Sequence, residues 1–177
     1  IATRSIDMTN TTSTSPSCTP ARASLLSGRY PMATGMFLND ICLPLNHVCI
    51  ADVFKGNGYD TGYIGKWHID GHGRADYIPP ERRRGFDYWK ALECTHDYLA
   101  SQYYAGDDPT PRMWEEYDAY SQTKDAQQYI HDHSNADKPF FLMIGYGGPH
   151  FPHHTAPPEY QALYQPDQLT LRPNVPP

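Results

Sequence analysis

The chain has 177 residues, 39% hydrophobic and 19% charged, with a net charge of −6. That length suits one domain with a sizeable core, and the negative balance leaves no basic footprint for nucleic acid. The longest apolar run, Phe140 to Ile144, is far too short to cross a bilayer as a helix, while 14 Tyr and 3 Trp argue against disorder even though Leu, Ile, Val and Phe are scarce.

Residues 1–17 are rich in Thr and Ser and read as an irregular lead-in. Pro20 then opens a helix over Ala21–Ser27, because proline suits the first helical turn and Gly28 suits the stop. A second helix fits Val48–Asn57, with Asn46 as its cap and Val48, Ala51 and Phe54 among its apolar positions; Gly58-Tyr59 ends it. Thr61–Ile64 reads as a short strand, and Gly65-Lys66-Trp67-His68 as the loop at its end. Residues 70–113 show no sustained period and carry many turn formers. Glu115–His133 is the longest helical segment. Phe140–Tyr146 is continuously apolar after Pro139, the pattern of a strand buried on both faces, and it stops at Gly147-Gly148-Pro149-His150. From about Pro166 to Pro177 the chain is proline-rich and reads as a connection. No internal repeat is present.

Helices alternating with buried strands predict an α/β fold with a parallel sheet. Two clear strands are fewer than a doubly wound sheet holds, which predicts the middle of a larger domain. Cys18, Cys42, Cys49 and Cys94 form neither CxxC pairs nor a dense framework, so one disulfide and four separate thiols both fit. The chain starts at Ile1, and the lack of a visible leader therefore says nothing about compartment.

The chemistry concentrates in three short stretches. Cys18-Thr19-Pro20-Ala21-Arg22 leads into Ala23-Ser24-Leu25-Leu26-Ser27-Gly28. It puts a cysteine just before a helix start and Arg22 about one turn further on, and both the helix N-terminus and the guanidinium favour an anion there. A buried structural cysteine beside a proline-started helix fits the local features equally well. Thiol phosphatases place more residues between cysteine and arginine than the three found here.

Cys18 to Gly28 resembles the first signature of the sulfatase family, C-x-P-x-R with a Leu-Leu-Ser/Thr-Gly ending. Gly58 to His68 (GYDTGYIGKWH) resembles the second, and Pro149-His150 after a strand resembles a third landmark. Three such motifs in order, within residues 15–154, are far more specific than any one. The resemblance implies part of an alkaline-phosphatase-like doubly wound sheet, with helices on both faces, incomplete in this chain. Residues 1–177 are then the central portion of a sulfatase catalytic domain, lacking the N-terminal strand and the C-terminal metal-ligand segment.

The same resemblance implies that Cys18 is oxidised to formylglycine by a maturation enzyme that reads Thr19, Pro20 and Arg22. The hydrated aldehyde attacks sulfur with one hydroxyl, and its second hydroxyl allows sulfate to be eliminated, which serine could not do. Arg22 holds the diol, while Lys66 and His68 meet the sulfate oxygens. Gly65 allows close approach and Trp67 packs beneath the loop. His150 contacts sulfate and protonates the leaving alcohol. For Lys66 and His68 the bland alternative is a surface lysine and a satisfied histidine. His153 and His154, with prolines around them and no carboxylate between, read as a solvated loop rather than a metal cluster.

Calcium is the implied cofactor, and it requires hard oxygen ligands. In the family these come from an Asp-Asp pair before the stretch seen here and from an Asp-Asn or Asp-His and a lysine after it. Within this chain only Cys18, as formylglycine, qualifies, since Asp107-Asp108 lies among Gly and Pro. The expectation is that these residues alone neither hold the metal nor turn over. His72, Arg74 and Arg82-Arg83-Arg84, with Tyr103 and Tyr104, are candidates for binding a sulfated sugar, Arg74 foremost; a solvated charged loop is the alternative. The implied partners are a sulfated small molecule or glycan and the maturation enzyme, with no nucleic acid and no membrane span, in a periplasmic or secreted setting. Two other readings compete: a phosphonate monoester or phosphodiester hydrolase of the same superfamily, and a non-catalytic sugar-binding relative.

Overall fold

The apolar runs around Tyr63 and Phe141 form the middle of a five-stranded sheet. In this computed structural model, which describes residues 2–170 and 172–175, β1 (Asp60–Lys66) lies between β2 (Tyr88–Leu92) and β5 (Phe140–Gly145), parallel to both. β3 (Gln102–Ala105) and β4 (Asp108–Met113) continue it antiparallel, in the order β4-β3-β2-β1-β5. Alternate side chains of β1 face opposite layers. Tyr63 packs with Ala23 and Leu26 of α1 (Cys18–Ser27) and Ala51 of α3 (Ile50–Gly56), together with Trp67, Phe86 and Trp89. Ile64 meets Ala126 of α4 (Asp118–His133), with Leu142 and Ile144 beside it. Helices thus cover both faces, as expected.

Pairing of Gly65 with Gly145 and of Lys66 with Leu92 sets the carboxyl ends of β1, β2 and β5 side by side. Open α/β sheets hold ligands at this edge. Gly65 has φ +102°, and a Cβ there would lie 2.5 Å from the Gly145 carbonyl oxygen and 3.0 Å from Gln122 Oε1. Only glycine lets the strand ends approach this closely.

Several expected boundaries move. α1 begins at Cys18 rather than Ala21, because its first turn is capped from a distance: Asn39 Oδ1 accepts from the Thr19 amide at 3.0 Å. Gly28 ends it in the left-handed conformation, as the sequence implies. α3 spans Ile50–Gly56 instead of Val48–Asn57, and its cap is Cys49, whose amide donates to Asp52 Oδ2 at 2.8 Å, not Asn46. A short α2 (Pro31–Thr34) adds a turn between them. β1 runs two residues beyond Ile64, so Lys66 is the last strand residue and not a loop residue.

The stretch without periodicity contains three strands. β2 escapes notice because Lys90 interrupts its apolar pattern, yet Lys90 pairs with Asp125 of α4. β4 contains Pro109 and Pro111, which an edge strand tolerates. The sheet is therefore mixed rather than wholly parallel. β5 corrects a further expectation: among the described residues it pairs only with β1 and is half-buried instead of covered on both faces. The C-terminal stretch carries short turns at Pro158–Gln161 (α5) and Pro166–Gln168, while Leu171, Pro176 and Pro177 lie outside the described residues.

Gly65→Ala should lower unfolding stability by roughly 2–4 kcal/mol, since a methyl group against a backbone carbonyl at positive φ leaves nothing flexible to yield. Urea denaturation checks this; a loss below about 0.5 kcal/mol would contradict the close approach.

Candidate active site

Cys18 is the first residue of α1, where free amides and the helix dipole favour negative charge. Lys66, only 7% exposed at the end of β1, brings its Nζ to 3.8 Å from Cys18 Sγ. The Lys66 carbonyl accepts from Arg22 Nη1 at 2.6 Å and from the Tyr63 hydroxyl at 2.5 Å. Arg22 Nη2 also reaches the Tyr146 carbonyl at 3.4 Å. The guanidinium one turn into α1 therefore ties that helix to the ends of β1 and β5.

His68 is 2% exposed and lies in the left-handed region at φ +59°. Its Nε2 is 2.9 Å from Asp40 Oδ1, and its Nδ1 is buried without a partner. Arg74 forks onto Asp40 through Nε at 2.9 Å and Nη2 at 2.6 Å. That fork, above all, holds the Asp40 carboxyl well below the usual carboxylate range. Burial pushes His68 down to about 4, with Lys66 and Arg74 repelling its proton and Asp40 pulling the other way. Desolvation prevails over the ion pair, so His68 is neutral at ordinary pH: Nε2–H donates to Asp40 and Nδ1 is an acceptor.

His150 follows β5, with Nδ1 2.8 Å from the Phe151 carbonyl oxygen. Its ring stacks on His96, which the sequence did not single out; His96 lies in the stretch without periodicity and belongs to no motif. Burial and the nearby His150, Lys66 and Arg74 lower the His96 pKa. Lys66, His68, Arg74, His96 and His150 thus belong to one electrostatic neighbourhood next to Cys18.

Beneath it lies Glu93, 1% exposed, whose Oε1 accepts from the amides of Asp70 and Gly71 at 2.8 Å each, while Oε2 is buried without a hydrogen-bond partner among the described residues. Burial pushes its carboxyl up to about 7. Glu93 braces the turn that follows His68. No sequence signal separated this acid from a surface one.

The arginine run belongs elsewhere. Arg82 forks onto the buried Asp70, and Arg83, 1% exposed, bonds the Ile78 and Gly106 carbonyls and Asp107. Arg84 is buried on the Leu43 carbonyl. The run is neither a sugar-binding nor a solvated segment; it is internal scaffolding. Tyr103 stacks on Trp114 and the Tyr104 hydroxyl donates to the Ala75 carbonyl, so of that candidate set Arg74 is the one at the site. His153 and His154 sit in an exposed turn, as expected.

All four cysteines are free thiols. Calcium finds no fit among the described residues. Lys66, Arg22 and Arg74 lie around Cys18, and the Asp40 carboxylate is committed to His68 and Arg74. The mixed cluster Cys42, Asp70 and His72 has its ligand atoms within 4.8 Å of one another, but the Arg82 guanidinium occupies Asp70 and would repel a cation. A cleft of about 790 Å³ runs between α1 and β5, lined by Cys18, Arg22, Leu25, Tyr30, Met143 and Tyr146 among others. Lys66, His68, Arg74 and His150 lie outside its lining, so Cys18 stands where the cleft meets the cationic group. Among the described residues no helix is long and apolar enough to cross a membrane.

Comparison with known proteins points one way. A family model described as Sulfatase matches residues 1–173. An ulvan-active sulfatase of Formosa agariphila is 49% identical over 177 residues, covering 100% of this chain and 35% of that protein. An endo-4-O-sulfatase of Bacteroides thetaiotaomicron is 31% identical over 208 residues, covering 98% of this chain and 40% of its own length. A solved structure concerned with glycosaminoglycan metabolism in Bacteroides thetaiotaomicron superposes with a TM-score of 0.74 at 29% identity, over 81% of this chain and 35% of that one. The chain thus spans 35% and 40% of the two curated relatives' lengths, and its fold is part of the alkaline-phosphatase-like architecture.

Glu93 supplies a pH signature. Burial holds its folded-state pKa at about 7, above the ordinary 4.5 of a glutamate, so the folded protein binds the extra proton and its stability falls as pH rises between those values. Glu93→Gln should remove that fall and gain on the parent by about 3 kcal/mol above pH 7. Thermal melts from pH 5 to 8 test it; parallel curves for the two proteins would contradict the burial of this charge.

Proposed function

The chain belongs to the sulfatase family, and on that premise we propose that residues 1–177 form part of the catalytic domain of a sulfuric-ester hydrolase acting on sulfated glycans. The observation carrying this reading is Cys18 at the head of α1 with the Lys66 ammonium 3.8 Å away. Such a junction receives a tetrahedral anion at the residue that attacks it. The relatives' names, ulvan-active sulfatase and endo-4-O-sulfatase, support a glycan substrate.

In this reading a maturation enzyme converts Cys18 to formylglycine, whose hydrate supplies an oxygen nucleophile and a second hydroxyl for sulfate release. Arg22 fixes Cys18 relative to the strand ends through the Lys66 and Tyr146 carbonyls. Lys66 pairs with the sulfate oxygens as charge develops on them. Arg74, exposed and tethered to Asp40, adds positive potential at the rim. His68, 2% exposed, holds Asp40 through Nε2; it enters as a neutral ring that keeps Asp40, and through it Arg74, in place. In His150, a bond from Nδ1–H to the Phe151 carbonyl leaves Nε2 to carry the proton for the leaving alcohol. Calcium remains the family's expected cofactor. Since these residues do not hold it alone, the reading assigns its carboxylate ligands to other parts of the protein, with residue 18 the one ligand here.

In the mature enzyme Lys66→Ala should impair both KM and kcat, because the ammonium acts on bound sulfate and on the transition state alike. His150→Ala should cut kcat by roughly 10²–10⁴-fold for sulfated sugars, yet far less for a nitrophenyl sulfate, whose leaving group needs little protonation. Equal losses on both substrates would contradict the acid role. Sulfate monoesters should be turned over in preference to phosphodiesters and phosphonates; the reverse preference would select the other hydrolase class.

A further inference from the structure

The contact between His96 and His150 plays no part in the chemistry above. The two imidazoles are nearly parallel, with centroids 4.5 Å apart and planes 10° apart. The Phe151 ring lies 4.4 Å from the His150 ring and 5.7 Å from the His96 ring, so the three rings pack mutually. His96 is itself anchored: its Nε2 is 3.8 Å from Sγ of Cys94, which is buried two residues beyond the end of β2. The loop bearing His150 is thereby registered against the end of the sheet through one ring.

We propose, resting on the reading of His150 as the leaving-group acid, that His96 is its positioning residue: the flat contact fixes the direction in which His150 Nε2 meets the leaving oxygen. With Nδ1 bonded to the carbonyl of the adjacent residue and the Phe151 ring tilted 34° against it, His150 gains from His96 a nearly parallel contact. A face-to-face neighbour restricts ring rotation without taking either nitrogen. The neighbour must also tolerate a proton that comes and goes. Burial first, then His150, Lys66 and Arg74, depress the His96 pKa, with Asp40 acting against them. His96 therefore stays neutral, and a neutral ring remains in face contact with either protonation state of its partner, whereas two stacked cations repel.

The test compares His96→Ala, His96→Phe and His150→Ala in the mature enzyme, each on a sulfated sugar and on a nitrophenyl sulfate. His96→Ala should lower kcat on the sugar by about 10- to 100-fold, the scale of a misaimed catalytic group, with a small effect on the nitrophenyl ester and little change in KM. His96→Phe keeps a flat ring without titration and should restore most of the rate. If His96→Ala does not fold, His96→Leu against His96→Phe makes the same comparison of bulk with flatness. Equal losses on both substrates, or no recovery with Phe at an unchanged melting temperature, would overturn the positioning role. If His150→Ala shows the leaving-group dependence and His96→Ala does not, this inference alone fails; if His150→Ala lacks it, the acid reading fails and the inference with it.

Discussion

The site depends on a single junction, where the Arg22 guanidinium of α1 meets the Lys66 carbonyl at the end of β1 at 2.6 Å. A charged donor on a backbone acceptor, with the Tyr63 hydroxyl sharing the same oxygen, is among the stronger neutral-to-charged bonds in a protein, about 1.5–3 kcal/mol. Its consequence is geometric. Arg22 lies one turn below Cys18, and Lys66 is the residue whose backbone it grips, so the bond that seats the helix on the sheet also brings the thiol to the ammonium. Tyr146, at the end of β5, is drawn into the same grip. Sheet order completes the arrangement, because β1 is central and its neighbours end beside it.

A second brace comes from two consecutive residues. Asn39 caps the first turn of α1, and Asp40 holds both His68 and Arg74. The Asp40 amide in turn bonds Thr19 Oγ1 at 3.3 Å. The helix start that carries Cys18 and the strand-end loop that carries His68 are thus positioned by one short loop. Charge follows the same logic: Lys66, Arg22 and Arg74 lie around Cys18, and the Asp40 carboxylate is engaged by His68 and Arg74. Such a cluster repels its own members and is compensated when the anionic sulfate ester enters.

Much of this was legible in the sequence. Helix α1 with its Pro20 and Gly28, the strand through Tyr63, the helix ending at His133 and the strand from Phe140 all follow from local sequence, the first helix from its proline and glycine bounds and the last strand from its unbroken apolar run. The placement of Cys18, Lys66, His68 and His150 at strand ends and a helix start follows from their motifs. What escaped was set by distant partners. Lys90 is tolerable within β2 because Asp125 of α4 pairs with it, and a run of three arginines looks solvated until Ile78, Leu43 and Gly106 offer their carbonyls. Asp40, Glu93 and His96 are single residues without a period or a motif, and only the tertiary structure gives each its role.

The account turns on residue 18 as the nucleophile precursor and on its surroundings as the pocket for a sulfate ester. The most direct test is intact-peptide mass spectrometry of the Cys18 segment after co-expression with a formylglycine-generating enzyme. Exchange of the thiol for an aldehyde should lower the mass of that peptide by about 18 Da, with Cys42, Cys49 and Cys94 unchanged in the same digest. An unmodified Cys18 in folded protein, with the maturation enzyme active on a control substrate, would contradict the central claim.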